Sequence, residues 1–374
     1  MKVAIATGGT GGHCYPAIMV ADALQSLTHK VLFIGGTKGF EADLSQKYNI
    51  PFASVRAKGF PSKIGYAFIT AVISLLLGIK DALKLLSRFK PNIVVGGGGY
   101  CSGPTVLAAH ILGIPILLME QNLLPGKVTR LFARFAKKVL VSFPESKSFL
   151  PKASITVTGT PVRKEIASVS KEEGRKKIGF DPKPFTILVM GASQGAQSIN
   201  KAMEEISKLK DLNSTWQWIH ITGKTHFESV NFAIMSSGSI ERGFNYIGFP
   251  YLENIADAYA AADLIVTRAG ATTIAEILCR GLPAILIPYP YAAEDHQLVN
   301  AKYLAKEGAA VLLLEKELSG ERLLTEITLL ANNQELFNRI RRSSKQIGKP
   351  DALDMVVKEI LTAGGGLPRN GKEG

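Results

Sequence analysis

His13 follows directly on Gly8-Gly9-Thr10-Gly11-Gly12, and an imidazole beside a run of glycines can move a proton where a phosphate is held. Glycines let backbone N–H groups close around an anion at the start of a helix. Histidine titrates near neutral pH, so it can take a proton from an attacking hydroxyl or donate to a phosphate. The spacing matches neither the dinucleotide fingerprint, with its acid about 20 residues on, nor a P-loop. A lone histidine is more often structural, and it is the glycine context that argues for chemistry here. A second constellation runs Arg268-Ala269-Gly270-Ala271-Thr272-Thr273 and leads to Glu276. Turn amides of this kind can hold phosphates, and a carboxylate behind them can accept from ribose hydroxyls. Without that loop Glu276 would read as a solvated helical glutamate. Glu294-Asp295-His296-Gln297 is either a charged surface turn or a set of donors and acceptors for sugar hydroxyls. Two acids, one histidine and one amide make no clear metal cage.

The elements that must position these residues can be read from the apolar runs. Lys2 to Thr7 is a strand that ends in the first glycine loop, after which Ala17, Val20, Ala21 and Leu24 recur at helical spacing. Val31–Ile34 ends in Gly35-Gly36, and Ile93–Val95 ends in Gly96-Gly97-Gly98-Gly99. Ile116–Leu118 and Val139–Val141 read as further strands. The pattern then restarts: Phe185–Met190 ends in Gly191-Ala192-Ser193-Gln194-Gly195-Ala196, ahead of a helix with Ile199, Met203 and Ile206. Trp218–Thr222, Leu264–Thr267 and Ala284–Pro288 read as later strands. Strands alternating with helices predict an α/β chain of two doubly wound domains with parallel sheets. The boundary is placed near Gly159-Thr160-Pro161-Val162-Arg163, where glycine and proline interrupt regularity. The expected organisation is 1–163, 164–345, a C-terminal helix over 346–363 and a disordered glycine-rich tail over 364–374.

The formal net charge is +13 over 374 residues, and its distribution is more informative than its size. Residues 1–163 carry 19 Lys+Arg and 6 Asp+Glu, a net of +13, which leaves 25 of each for the remainder. A half with this excess attracts phosphorylated substrates, acidic lipid head groups or nucleic acid, and the plain alternative is a basic soluble surface. Nucleic acid is disfavoured because no recognised module or interleaved aromatic pattern accompanies the charge. Ile64 to Ile79 is a run of sixteen uncharged residues, short of the roughly 20 that span a bilayer. Lys58 and Lys63 precede it, and Lys80, Lys84, Arg88 and Lys90 follow it. The run is either a core helix or an interfacial one. The charge in the same half favours membrane contact through Ile73, Leu75, Leu76 and Leu77, with Lys80 and Lys84 on anionic lipid. Three separated cysteines, Cys14, Cys101 and Cys279, and the lack of a signal-like N-terminus point to a reducing cytoplasm.

Taken together, the runs GGTGGH (Gly8–His13), GGGGYCSGP (Gly96–Pro104), EQN (Glu120–Asn122), GTPVR (Gly159–Arg163), GASQGA (Gly191–Ala196), RAGATTIAE (Arg268–Glu276) and DHQ (Asp295–Gln297) resemble the MurG family of glycosyltransferases. They stand in the family's order and span nearly the whole chain. The resemblance implies a GT-B fold with its two domains facing across a cleft, the acceptor on the N-terminal domain and UDP-N-acetylglucosamine (UDP-GlcNAc) on the C-terminal one. It implies inverting transfer of N-acetylglucosamine to the 4-hydroxyl of undecaprenyl-diphosphoryl-N-acetylmuramoyl-pentapeptide, without cofactor or metal, at the cytoplasmic face of the bacterial inner membrane. Other cell-wall synthesis proteins would be natural partners in such a setting. Carried over by motif, Gly8, Gly9, Thr10, Gly98, Gly99, Tyr100 and Ser102 would hold the acceptor diphosphate. Arg163, Ser193 and Gln194 would face the nucleotide and its phosphates, the Leu252 backbone the uracil and Glu276 the ribose. Asn122, Ala271, Thr272, His296 and Gln297 would line the sugar, with Thr10, Gly11 and Gly12 also near the donor. His13 is the candidate base, and Asn122 is the second candidate catalytic residue. One departure stands out: the family's histidine before EQN is here Met119, so no proton relay can run through that position.

Two rival readings remain at this level. Another UDP-sugar enzyme of the same fold, a glycolipid glycosyltransferase or a UDP-GlcNAc epimerase, would share the loops. A non-catalytic module binding nucleotide sugar or anionic lipid would share the charge.

Overall fold

The computed structural model describes residues 1–9, 11–37, 39–59, 65–191, 195–210 and 212–366, so Thr10, Lys63, Ile64, Ser193, Gln194 and the end of the tail lie outside the described residues. Two compact units make up the chain. One is Met1–Val162 together with the chain from Pro350 onward, and the other is Arg163–Lys349. Arg163 therefore belongs with the second unit rather than the first. Residues 346–349 also stay with the second unit, because they complete or follow the continuous helix Gln334–Ile347, whose Ile340 is anchored in that unit's core.

The first unit is built on β1 (Lys2–Ala6), β2 (Lys30–Gly36), β3 (Phe52–Val55), β4 (Ile93–Gly96), β5 (Ile116–Glu120), β6 (Lys138–Val141) and β7 (Ile155–Val157). Their order is β3-β2-β1-β4-β5-β6-β7, with every pairing parallel. Alternation along the central strands explains the two-sided core. Val3, Ile5, Val95 and Leu117 face the helices Gly11–Ser26 and Ala352–Ala363. Ala4, Ala6, Val94 and Leu118 face the opposite side with Ala82, Leu86 and Val106. The helix Ala352–Ala363 is thus part of the first unit's core, held also by Lys138 Nζ donating to Glu359 Oε2 at 2.7 Å. The register sets Ala6 beside both Ile34 and Gly96, so β1 and β4 end level with each other at the point where the winding reverses.

The second unit repeats the plan with β8 (Thr186–Met190), β9 (Gln217–Ile221), β10 (Asn245–Phe249), β11 (Leu264–Thr267), β12 (Ala284–Leu286) and β13 (Val311–Leu312). The order is β10-β9-β8-β11-β12-β13, again parallel. Met190 and Leu286 both pair with Thr267, which levels the tips of β8, β11 and β12 around the reversal point. His220 is fully buried, and desolvation pushes its imidazole down to about 3. It bridges Tyr246 Oη at 3.1 Å and Asn200 Oδ1 at 3.0 Å, a neutral brace within the core.

The uncharged run from the sequence forms most of the helix Tyr66–Phe89. Its buried stripe is Ala71, Gly78, Ala82 and Leu86, and the three small residues let the helix lie close to the chain after β3: a Cβ on Gly78 would stand 2.0 Å from the Arg56 carbonyl oxygen. Its large apolar residues point outward, with Tyr66, Ile69, Ile73, Leu76 and Leu77 all exposed. Leu75 is half-buried, while Lys80 and Lys84 are exposed. The helix is therefore an edge element with an apolar outer stripe rather than a core helix. Among the described residues no helix is long and apolar enough to cross a membrane.

Candidate active site

In the first unit, the loops that follow β1, β4 and β5 come together. His13 lies in the first turn of its helix, half-buried, with Nδ1 2.9 Å from Gln121 Oε1. Gln121 Nε2 in turn donates to the Gly97 carbonyl at 3.2 Å. Gly98 and Gly99 hold left-handed φ angles of +94° and +75°, which L side chains rarely adopt. A Cβ on Gly98 would meet His13 Nδ1 at 2.5 Å, and one on Gly99 would meet the Gly8 oxygen at 1.8 Å. The second glycine loop is thus glycine because the first loop and its imidazole occupy the Cβ space. Gly99→Ala is expected to cost at least about 2 kcal/mol of stability, measured as a lower urea midpoint, and an unchanged midpoint would contradict this packing.

A carboxylate that the sequence did not single out lies beneath the first loop. Glu41, 1% exposed at the start of the helix Glu41–Lys47, accepts from the Gly9 N–H at 2.9 Å. That amide is committed inward, so Gly9 gives the loop its shape. Burial and the Glu41 charge push the Cys101 thiol up to about 11, and the same causes push Cys14 higher still. Both thiols stay protonated, which excludes them as nucleophiles. Ser102 is buried, and its hydroxyl donates to the Gly99 carbonyl at 2.8 Å, so it braces the loop. Tyr100 is exposed beside Gly9. Glu120 accepts from the N–H groups of Asn122 at 3.1 Å and Gly126 at 2.9 Å, and this fixes the turn that carries Asn122. Met119 points into the core, away from all of these groups.

In the second unit, the helix Ala271–Arg280 starts directly after β11, with Gly270 extended at its N-cap. The start of such a helix directs N–H groups and a positive dipole end outward, so Ala271 and Thr272 stand where an anion would be held. Glu276 lies one turn further on, 7% exposed. Tyr259 Oη donates to its Oε2 at 2.9 Å, and Arg163 Nη2 approaches its Oε1 at 3.4 Å. Burial pushes the Glu276 carboxyl up, and Arg163 and the Tyr259 hydroxyl partly offset it. Arg163 also donates to the Glu253 carbonyl at 3.4 Å, next to half-buried Leu252. Leu252, Arg163 and Glu276 are therefore one cluster.

The loop after β12 supplies the other predicted residues. Glu294 and Asp295 both have left-handed backbones, φ 49° and 53°, and lead into the helix His296–Lys306. Gln297 Oε1 accepts from the N–H groups of Tyr289 at 2.9 Å and Ala269 at 3.2 Å, tying this loop to the one after β11. His296 Nε2 is 3.8 Å from Glu294 Oε2. Arg268, 6% exposed, joins these loops by donating to the Ile287 carbonyl at 3.1 Å, to Ser198 Oγ at 3.0 Å and to Glu315. Tyr259, Arg268, Gln121 and Glu41 are the residues that sequence reasoning missed. Arg268 and Gln121 stood inside motifs that were noticed, whereas nothing in the sequence links Tyr259 to Glu276 or Glu41 to Gly9. Among the described residues, no group of three or more His, Cys, Asp or Glu is placed to hold a metal ion.

Comparison with known proteins agrees in both halves. Residues 3–141 match the glycosyltransferase family 28 N-terminal domain, and residues 186–356 match its C-terminal domain. A Desulforamulus reducens protein named UDP-N-acetylglucosamine–N-acetylmuramyl-(pentapeptide) pyrophosphoryl-undecaprenol N-acetylglucosamine transferase is 40% identical over 96% of this chain and 97% of its own length. One of the same name from Halalkalibacterium halodurans is 39% identical over 96% and 99%. The crystal structure of Acinetobacter baumannii MurG superposes with a TM-score of 0.76 at 30% identity, covering 96% of this chain and 99% of that one. The two parallel-sheet units are those of a GT-B glycosyltransferase. With both halves matched and nearly full-length relatives at this identity, the chain belongs to the MurG family of family 28 glycosyltransferases.

Proposed function

We propose that this enzyme transfers N-acetylglucosamine from UDP-GlcNAc to the muramoyl 4-hydroxyl of undecaprenyl-diphosphoryl-N-acetylmuramoyl-pentapeptide, in peptidoglycan synthesis. The observation that carries the proposal is that the family relationship runs through both units, so donor and acceptor machinery are both accounted for. The first unit takes the acceptor, its glycine loops and basic charge meeting the lipid diphosphate. The second takes UDP-GlcNAc, with Glu276 on the ribose, the amides at the start of the helix Ala271–Arg280 on the phosphates and Leu252 by the uracil. The 4-hydroxyl attacks C1 of the sugar, the bond from C1 to the phosphate oxygen breaks with inversion, and UDP leaves with the electron pair. His13 takes the hydroxyl proton. Developing charge on UDP is met by preorganised N–H groups and Arg163, each such donor contributing a few kcal/mol on the scale of about 2.7–4.

The test is to mix the protein with UDP-GlcNAc and a short-chain analogue of the muramoyl lipid and follow UDP release. Release only in the presence of acceptor is expected. Conversion of UDP-GlcNAc alone would instead identify an epimerase, and no conversion under either condition would leave a binding module.

The enzyme works at the cytoplasmic face of the inner membrane, where the outer stripe of the helix Tyr66–Phe89 enters the lipid interface beside Lys80 and Lys84. Ile69, Ile73 and Leu76 are all more than half exposed, so replacing them with serine should leave folding intact. Co-sedimentation with phosphatidylglycerol vesicles should fall about tenfold or more. Undiminished sedimentation of the folded triple variant would remove this stripe as the contact surface.

A further inference from the structure

Gln121 is 2% exposed and spans two loops with its two amide ends. A backbone carbonyl can only accept a hydrogen bond, so the 3.2 Å contact with the Gly97 oxygen identifies the NH2 end of the Gln121 amide. The other end, 2.9 Å from His13 Nδ1, must then be the carbonyl. It too can only accept, so Nδ1 carries the hydrogen. A neutral imidazole has one N–H, which leaves the lone pair on Nε2. Gly97 is held by its own N–H to the Ala6 carbonyl at 2.8 Å, and the missing Cβ of Gly98 leaves room for the ring, since a Cβ there would stand 2.5 Å from Nδ1.

We propose that Gln121 is a positioning residue that holds His13 in its Nδ1–H tautomer and so makes Nε2 the nitrogen that receives the acceptor proton. The inference rests on the reading of His13 as the base. In the step, the acceptor O–H bond breaks and its proton passes to Nε2, while the oxygen forms its bond to C1 and the departing UDP keeps the electrons of the broken C1–O bond. The ring becomes an imidazolium that retains its Nδ1–H bond to Gln121. The third member of a serine-protease triad sets a tautomer in the same way but with a carboxylate; here a neutral amide orients the ring without a negative charge beside it.

The tautomer can be read directly by two-bond 1H–15N correlation on the full-length, 15N-histidine-labelled protein, at a pH about two units above the usual imidazole value. The His13 signal is the one lost in His13→Asn. His220 is an internal standard of the opposite kind: Asn200 Nδ2 donates to the Thr222 carbonyl at 3.0 Å, which turns its oxygen to His220 Nε2 and makes that ring Nε2–H. The wild type should show His13 as Nδ1–H and His220 as Nε2–H. Gln121→Met, which fills the space without an acceptor, should abolish the His13 preference and lower kcat roughly 10- to 100-fold, with KM for UDP-GlcNAc unchanged. Gln121→Glu, which keeps an acceptor toward Nδ1 but loses the donor to the Gly97 carbonyl, should restore the Nδ1–H pattern and only part of kcat. An Nε2–H pattern for His13 in the wild type overturns the proposal without any variant. An unchanged tautomer in Gln121→Met also overturns it, leaving Gln121 as packing only. If His13→Asn turns over like the wild type while the Nδ1–H pattern stands, the base reading has failed and the tautomer assignment survives alone.

Discussion

His13→Ala is expected to lower kcat by about 100- to 10,000-fold, the usual contribution of a positioned general base, and to leave the affinity for UDP nearly intact. The reason lies in where His13 is anchored. Its hydrogen bond and its packing partners, Gln121, Gly97 and Gly98, all belong to the first unit, whereas the proposed nucleotide cluster of Leu252, Arg163 and Glu276 belongs to the second. Losing the imidazole removes a proton acceptor and no nucleotide contact. Because His13 is half-buried at the start of its helix rather than in the core, the variant should fold. Turnover assays with a short-chain acceptor and calorimetric titration with UDP separate the two effects. Wild-type turnover would take His13 out of the mechanism, and a matching loss of UDP affinity would place it at the donor instead.

Glu276→Ala should have the second large effect, a weakening of UDP-GlcNAc binding by about 10- to 100-fold from the loss of hydrogen bonds to a charged group. Its pH dependence gives a sharper test. In the proposed contact a ribose hydroxyl donates to the ionised carboxylate, and burial raises the pH at which that form appears, with Arg163 and Tyr259 partly offsetting the shift. Cys279, on the same helix, is itself pushed up, mainly by burial, so it adds no charge near neutrality. The sign follows: donor affinity is full where the carboxyl is ionised and falls as pH drops through its raised value, above the ordinary carboxylate range. In Glu276→Gln this acid limb should vanish while the hydrogen bond with Tyr259 can persist. Titration of UDP-GlcNAc against pH checks both variants. An identical acid limb in Glu276→Gln would assign the titration to another group, and unchanged affinity in Glu276→Ala would end the ribose role.

The candidate site was legible wherever its chemistry was local in sequence. Gly8–His13 and Arg268–Glu276 each place a loop and its reactive side chain within a few residues, and a strand tip followed by a helix start carries its meaning in the residue types. The supports were not legible. Glu41 reaches Gly9 across a separate helix, Tyr259 reaches Glu276 from another, and Gln121 reaches His13 from another strand tip. Ser102 shows the converse. Its motif suggested ligand contact, and its buried hydroxyl is committed to Gly99.

The same division holds for the fold. The nine central strands announced themselves because both their faces are covered: Val3 to Ala6, Val94 and Val95, Ile187 to Val189 and Leu264 to Val266 are all fully buried, and such strands must be continuous apolar runs. The strands passed over, β3, β7, β10 and β13, are the four sheet edges. An edge strand has one neighbour and a partly solvated face, so Phe52–Val55 and Ile155–Val157 carry no uninterrupted buried run and no pattern that separates them from loops. The helix Tyr66–Phe89 is the clearest case of a decision left to tertiary structure. Its composition allowed either a core helix or an interfacial one, because apolar residues look alike whichever way they face. Packing decided which way its residues face through the small residues: Ala71, Gly78 and Ala82 let one side approach the body of the unit, and that left Ile69, Ile73 and Leu76 facing outward.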